Sequence, residues 1–141
     1  MQMNPILSFK GDCEAAFRFY ERALGAQLGG IFRYAGTPLA SGVPEDWSDK
    51  VMHGNITIGN QLVQGGDFPP GQYEAPKGFS LSLQLTDATE AERIFQQLAD
   101  GGEVRMALEK TFWAERFGMV VDRFGIPWLI NCEGSSHVQE A

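Results

Sequence analysis

The sequence predicts an α+β fold of two tandem βαβββ modules, which form a curved eight-stranded mixed sheet with the helices on its convex face. Two observations support this prediction. Each half contains one amphipathic helix, and these helices begin after Asp12 and Asp87. The segments around them alternate apolar and polar residues, as half-buried strands do. We therefore expect a single domain, residues 1–141, with an internal repeat of residues 4–66 and 79–132.

The first module is predicted to contain four strands and one helix. Apolar residues recur at helical spacing over Cys13–Leu24, with Asp12 as a suitable N-cap and Gly25 just past the helix end. The polar segment Ala35–Lys50 is long for a loop without structure, which is typical of lids, binding loops and disordered segments. The strands are expected at residues 5–9, 26–34, 51–58 and 61–66.

The second module repeats this pattern. Helix Ala88–Ala99 follows Asp87, and Glu90 completes the spacing of a capping box. The last two strands form a hairpin closed by a turn at Asp122–Gly125, where Asp suits the first position and Gly the fourth. The polar tail, residues 134–141 with His137, is expected to fray. The strands are expected at residues 79–85, 103–108, 117–121 and 126–131.

Composition excludes several classes of function. The formal net charge is −7, which argues against nucleic-acid binding because phosphate contacts need a basic face. No apolar run reaches the length of a membrane span, and the first residues do not resemble a secretory signal. The two cysteines, Cys13 and Cys132, are therefore expected as reduced thiols in a cytoplasmic protein. Neither has a neighbouring His in sequence, so a thiol nucleophile is not expected.

The hairpin segment Phe112–Asn131 carries two of the three tryptophans, Trp113 and Trp128. Large aromatic side chains beside a few polar groups are typical of small-molecule pockets. The alternative is that Trp128 belongs to the core, whereas Trp113 lies beside charged residues in a loop. The hairpin is therefore the first candidate for a ligand site.

The sequence resembles the PhnB-like branch of the vicinal oxygen chelate superfamily, which includes glyoxalase I, bleomycin-resistance proteins and extradiol dioxygenases. The resemblance extends over nearly the whole chain, and its most specific part is the pattern FW-x-x-RFG…DRFG-x-x-W. The residues that carry it lie at 9–17, 19–20, 24–25, 65–67, 73, 101–102, 104, 111–113, 116–118, 122–125 and 128.

The resemblance implies one divalent metal on the concave face, held by His, Gln or Glu from the first and last strands of each module. In this sequence the first strand offers only Ser8, and the fourth offers Gln61 and Gln64. In the fifth strand Ser80 stands where a His is expected, with Ser82 and Gln84 beyond it. Apolar residues around Leu129 occupy the position of the expected Glu. One plausible ligand does not make a transition-metal site, so no cofactor is expected, with a divalent metal as the alternative.

Other polar residues could contact a ligand. A lone strand histidine such as His53 is more often structural, but histidine is also the side chain best suited to act as a general base near neutral pH. Asp67 could orient a ligand or cap a turn. The resemblance also connects this branch with phosphonates by name, for which Arg33, Arg116 and Arg123 are the available cations. The predicted ligand-binding residues are His53, Gln64, Asp67, Ser80, Trp113, Arg116 and Trp128.

These patterns predict a metal-free protein that binds or sequesters a small, partly planar molecule. The alternative is a metal-dependent lyase or dioxygenase that uses His53, Gln64 and Asp67. A Rossmann-type methyltransferase is not expected, because the sequence has no Gly-rich strand–helix turn. A homodimer is expected, since aromatic residues such as Tyr73 and Trp113 flank the predicted site and would leave an apolar patch if bare.

Overall fold

The computed structural model describes residues 1–134, which form two compact units, Met1–Ala75 and a second unit that begins at Pro76. Each unit contains one helix and one four-stranded mixed sheet, so the predicted α+β fold of two βαβββ modules is confirmed. The strands pair as two four-stranded sheets, however, and not as one continuous eight-stranded ladder. Alternation of side chains identifies strands but does not specify their partners. Beyond Gly134, the tail with His137 lies outside the described residues.

In the first unit the sheet has the order β1-β4-β3-β2, in which β1 and β4 are parallel and the other pairs are antiparallel. The predicted helix bounds are confirmed, and Gly25 ends the helix with a left-handed φ of 66°. The elements are β1 (Ile6–Phe9), α1 (Cys13–Leu24), β2 (Gln27–Arg33), β3 (Val51–Ile58) and β4 (Gln61–Asp67).

The second unit repeats this topology with the order β5-β8-β7-β6, in which β5 and β8 are parallel. Its helix also has the predicted bounds, and the Asp87 carboxylate accepts the backbone N–H of Thr89 at 3.0 Å. The elements are β5 (Leu81–Leu85), α2 (Ala88–Ala99), β6 (Glu103–Glu109), β7 (Arg116–Val121) and β8 (Pro127–Cys132).

Each helix packs on one face of its own sheet. In the first unit a Cβ on Gly65 would lie 2.9 Å from the ring of Phe17, so a glycine lets α1 approach β4 closely. In the second unit a Cβ on Gly118 would lie 2.8 Å from the ring of Phe95 in α2. We call the opposite face of each sheet its helix-distal face. No helix within residues 1–134 is long and apolar enough to cross a membrane.

Asp12 occupies the predicted N-cap position of α1, but its side chain makes no capping hydrogen bond. Asp67, at the end of β4, takes this role: its Oδ1 accepts the backbone N–H groups of Gly11 at 3.1 Å and Cys13 at 2.9 Å. Its Oδ2 accepts the N–H of Val51 at 2.9 Å. One buried carboxylate thus joins α1, β3 and β4, a contact across 54 residues that sequence spacing does not reveal.

The segment between β2 and β3 is more ordered than its length suggested. It contains two short 3₁₀ turns, Pro38–Gly42 and Glu45–Trp47. Trp47 is buried, and its ring packs edge-on against Tyr34 with centroids 6.5 Å apart. A buried tryptophan contributes a large apolar area, which fixes this segment to the unit.

Candidate functional site

In the first unit, two of the predicted site residues share the helix-distal face. Gly54 and Gly65 pair with each other and face α1, so their neighbours His53 and Gln64 point to the opposite side. Gln64 pairs directly with Asn55 on β3. The structure therefore brings His53, Gln64 and Asn55 together on one partly exposed polar surface.

Asp67, in contrast, does not lie on this surface. It is 1% exposed, and its carboxylate is engaged by three backbone N–H groups beside α1. Its backbone carbonyl also accepts a 2.6 Å hydrogen bond from the Tyr34 hydroxyl. The predicted set of His53, Gln64 and Asp67 is thus divided between the two faces of the sheet, and Asp67 caps turns as the structural alternative expected.

The second unit contains an aromatic cluster, formed by Phe112 and Trp113 in the loop between β6 and β7 and by Phe117 in β7. Phe112 is 92% exposed and Trp113 is 46% exposed. Their rings pack edge-to-face with centroids 4.7 Å apart, and Trp113 packs in the same way on Phe117 at 5.3 Å. Such contacts contribute about 0.5–1.5 kcal/mol each beyond area burial.

The loop that carries Phe112 and Trp113 is held by hydrogen bonds within the loop and to β8. The Thr111 hydroxyl oxygen accepts the backbone N–H of Ala114 at 3.0 Å, and Ala114 is fully buried. The N–H of Glu115 donates to the carbonyl of Cys132 at 2.8 Å. The exposed rings of Phe112 and Trp113 therefore stand on an anchored loop.

Phe117 begins a row of side chains across the helix-distal face of the second sheet. Gly118 faces α2, so Phe117 points away from the helix, and it pairs with Asn131 on β8. Asn131 pairs in turn with Gln84 on β5. Asn131 Nδ2 donates to Gln84 Oε1 at 2.8 Å, and Gln84 Nε2 donates to Ser82 Oγ at 2.6 Å. We call Ser82, Gln84 and Asn131 the amide row.

The sequence analysis did not select the amide row as a site. Ser82 and Gln84 were noted only beside Ser80 in the search for metal ligands, and Asn131 only as the end of the last strand. Their hydrogen bonds join β5 and β8, which are 47 residues apart in the chain. No local sequence signal marks such a pairing.

Three other predicted residues have different surroundings. Trp128 is 1% exposed, and its indole N–H donates to Asp122 Oδ2 at 2.9 Å, so it belongs to the core as the alternative proposed. Arg116 lies on the α2 side, where its Nε donates to Glu92 at 3.0 Å. Ser80 precedes β5 by one residue and is partly exposed.

The three arginines named as phosphonate ligands each pair with a carboxylate. Arg33 contacts Glu14 at 2.9 Å, and Arg123 contacts Asp100 at 3.3 Å, while Arg116 contacts Glu92. Arg116 and Arg123 also flank opposite ends of β7, which places them roughly 15–20 Å apart at the rise of a strand. These two cations therefore do not converge on one anion.

The donor groups do not fit a transition metal. Within residues 1–134, no group of three or more His, Cys, Asp or Glu side chains is placed to hold a metal ion. The cysteines do not change this result: both are free and buried, and burial raises the pKa of the Cys13 and Cys132 thiols, which disfavours the thiolate that binds metals.

The two βαβββ units define the class of protein, namely one with the glyoxalase-like module duplicated in a single chain. A model of the glyoxalase/bleomycin resistance protein/dioxygenase superfamily matches residues 2–130, and the chain belongs to this superfamily. The fold alone does not specify an activity, because the same architecture carries several functions.

Two relatives of this chain are similar to it over nearly their whole length. Protein YjdN from Escherichia coli is 34% identical over 139 residues, which cover 93% of this chain and 95% of YjdN. The structure of protein PA1353 from Pseudomonas aeruginosa is 42% identical with a TM-score of 0.85, covering 96% of this chain and 99% of that one.

A more distant structure shows the fold alone. It is described as a putative 3-demethylubiquinone-9 3-methyltransferase, PhnB protein, from Bacillus cereus. It is 21% identical with a TM-score of 0.77, covering 94% of this chain and 99% of that one.

Proposed function

We propose that this chain binds or sequesters a small, partly planar molecule on the helix-distal face of its second sheet, without using a metal. The observation that carries the proposal is the aromatic cluster of Phe112, Trp113 and Phe117, in which the first two rings are exposed on an anchored loop. Exposed aromatic rings beside polar groups are typical of ligand sites. Membership of a superfamily that includes bleomycin resistance proteins supports a binding role.

The polar surface of the first unit is a separate candidate for ligand contact. His53 and Gln64 share the helix-distal face there and are partly exposed, so they remain candidates for contact with a ligand. We leave Asp67, Arg116 and Trp128 out of the proposed site, because their polar groups are engaged with partners on the helix side of their sheets.

Tryptophan fluorescence tests this proposal. Trp113 is 46% exposed, whereas Trp47 and Trp128 are buried, so a ligand that stacks on the aromatic cluster should change mainly the emission of Trp113. We expect at least one member of a panel of planar metabolites and antibiotics to quench the wild-type protein but not a Trp113→Phe variant. Elemental analysis of protein purified without chelators is the control. Stoichiometric metal together with metal-dependent turnover, and no change in emission, would refute the proposal.

We also propose that the chain forms a homodimer in which the aromatic cluster lies at or near the interface. Phe112 is 92% exposed, and a bare aromatic patch marks an interaction surface. Light scattering should give about twice the 15.5 kDa mass of the chain at micromolar concentration. A mass near 15.5 kDa contradicts the dimer. If Trp113→Ala weakens ligand binding and leaves the mass unchanged, the interface lies elsewhere.

A further inference from the structure

The amide row contains a polar atom that the described fold leaves unpaired. Asn131 is 9% exposed, and its Oδ1 is buried without a hydrogen bond from any residue in 1–134. Leaving a buried acceptor unpaired costs about 1–3 kcal/mol, so such groups are rare in folded proteins. The unpaired oxygen therefore requires a physical explanation.

The amide orientations in the structure leave one atom of Asn131 unpaired. Gln84 Nε2 donates to Ser82 Oγ, and Gln84 Oε1 faces Asn131. Asn131 presents Nδ2 to Gln84, and its Oδ1 has no donor among residues 1–134. The Ser82 hydroxyl accepts in this row, so its own proton remains available as a donor.

The row continues directly into the aromatic cluster. Phe117 is the cross-strand partner of Asn131, and paired side chains on one face lie about 5 Å apart. The Trp113 ring packs edge-to-face on Phe117. A planar molecule resting on these rings thus has its edge beside Asn131. Glu109 pairs with Phe117 from β6, so an acidic side chain lies on this face and disfavours an anionic ligand.

We infer that the amide row is a recognition subsite for a neutral aromatic carboxamide or lactam, whose N–H donates to Asn131 Oδ1 and whose carbonyl accepts from Ser82. The inference rests on the proposed function, because the aromatic part of the ligand lies on Phe117 and Trp113. Gln84 is exposed, so its side chain can rotate to admit the ligand's amide group. The subsite discriminates by hydrogen bonding, while the aromatic cluster supplies affinity.

Three related probes test the subsite by isothermal titration calorimetry. They are 1-naphthamide, N,N-dimethyl-1-naphthamide, which has no N–H donor, and 1-naphthoate, which is anionic. We expect 1-naphthamide to bind about tenfold more tightly than either of the other two, which is the effect of one hydrogen bond to a buried acceptor. Equal affinity for the first two probes would overturn the inference.

Two variants test whether Asn131 causes the preference for 1-naphthamide. Asn131→Ala should remove the preference for 1-naphthamide over the dimethyl probe, whereas Gln96→Ala should keep it, because Gln96 is an exposed amide on α2. An Asn131→Ala variant that keeps the preference would overturn the inference. NMR of the wild-type protein supplies a second measurement, which does not require a variant to fold. It follows the side-chain NH₂ resonances of Asn131. These resonances should shift with 1-naphthamide, and unchanged resonances indicate a trapped water at Oδ1 and refute the subsite.

The same experiments distinguish a failure of the carboxamide subsite from a failure of the proposed function. If 1-naphthamide does not bind but another planar molecule quenches Trp113, the carboxamide assignment fails and the proposed function stands. If no probe and no member of the panel affects Trp113, the proposed function itself fails.

Discussion

Replacing Asp67 should be among the most destabilising single changes in the first unit. Its carboxylate accepts three backbone N–H groups, those of Gly11, Cys13 and Val51, at 2.9–3.1 Å. A hydrogen bond to a charged group contributes about 1.5–3 kcal/mol, and a buried donor left unpaired costs about 1–3 kcal/mol. Asp67→Ala loses all three bonds, so we expect a loss of about 4 kcal/mol or more in the free energy of unfolding. Asp67→Asn keeps an oxygen for two donors but turns an NH₂ toward the third, and should lose about 2 kcal/mol.

Urea unfolding followed by far-UV circular dichroism measures these losses, and Asp87→Ala is the matched control. Asp87 caps the corresponding helix of the second unit through one exposed bond, to Thr89, so its removal should cost about 1 kcal/mol. The reasoning is refuted if Asp67→Ala costs no more than Asp87→Ala. It is also refuted if Asp67→Asn is as stable as the wild-type protein, because then the third donor does not need a carboxylate oxygen.

Two further predictions concern packing and pH. Gly65→Ala should destabilise the protein by about 1–3 kcal/mol, because its Cβ would lie 2.9 Å from the Phe17 ring. Gly42→Ala is the control and should be near neutral, because a Cβ there would have no atom within 4 Å. Equal costs for the two variants in urea unfolding would contradict this prediction. Burial, with the Asp67 carboxylate adding to it, raises the pKa of Asp12 above its ordinary value, although Lys10 opposes this. A raised carboxyl pKa contributes stability at low pH that is lost as pH rises from about 4 through the folded pKa. The stability of Asp12→Asn relative to the wild-type protein should therefore increase as the pH rises from 3 to 7. A stability difference that does not depend on pH would disprove the raised pKa of Asp12.

The residue pattern alone was sufficient to predict the helices and the order of the strands. Both helices have the predicted bounds, because their apolar positions recur at helical spacing and their ends carry local signals such as Gly25. The turn at Asp122–Gly125 is also confirmed: the N–H of Gly125 donates to the carbonyl of Asp122 at 3.0 Å. Helix ends and tight turns depend on residues adjacent in the chain, so their chemistry is visible in sequence.

The candidate site was only partly predictable. Trp113 was expected in a polar loop and is exposed there, because the charged residues around it indicated its surroundings. The same residue type at position 128 is buried and bonded to Asp122, a difference that depends on which face of β8 points to α2. The amide row was not predicted at all, since it joins strands distant in sequence.

The sequence by itself determined the helices, the strands and the duplicated order of elements, since each depends on periodicity and on residues a few positions apart. Tertiary structure decided how the polar side chains are used. Asp67 caps α1 in place of Asp12 because β4 ends beside the start of that helix. Asn131 meets Gln84 because β5 and β8 pair in parallel, and Asn131 Oδ1 stays buried without a donor among residues 1–134. Local periodicity carries no information about pairing between strands distant in the chain, so these roles followed only from the folded structure.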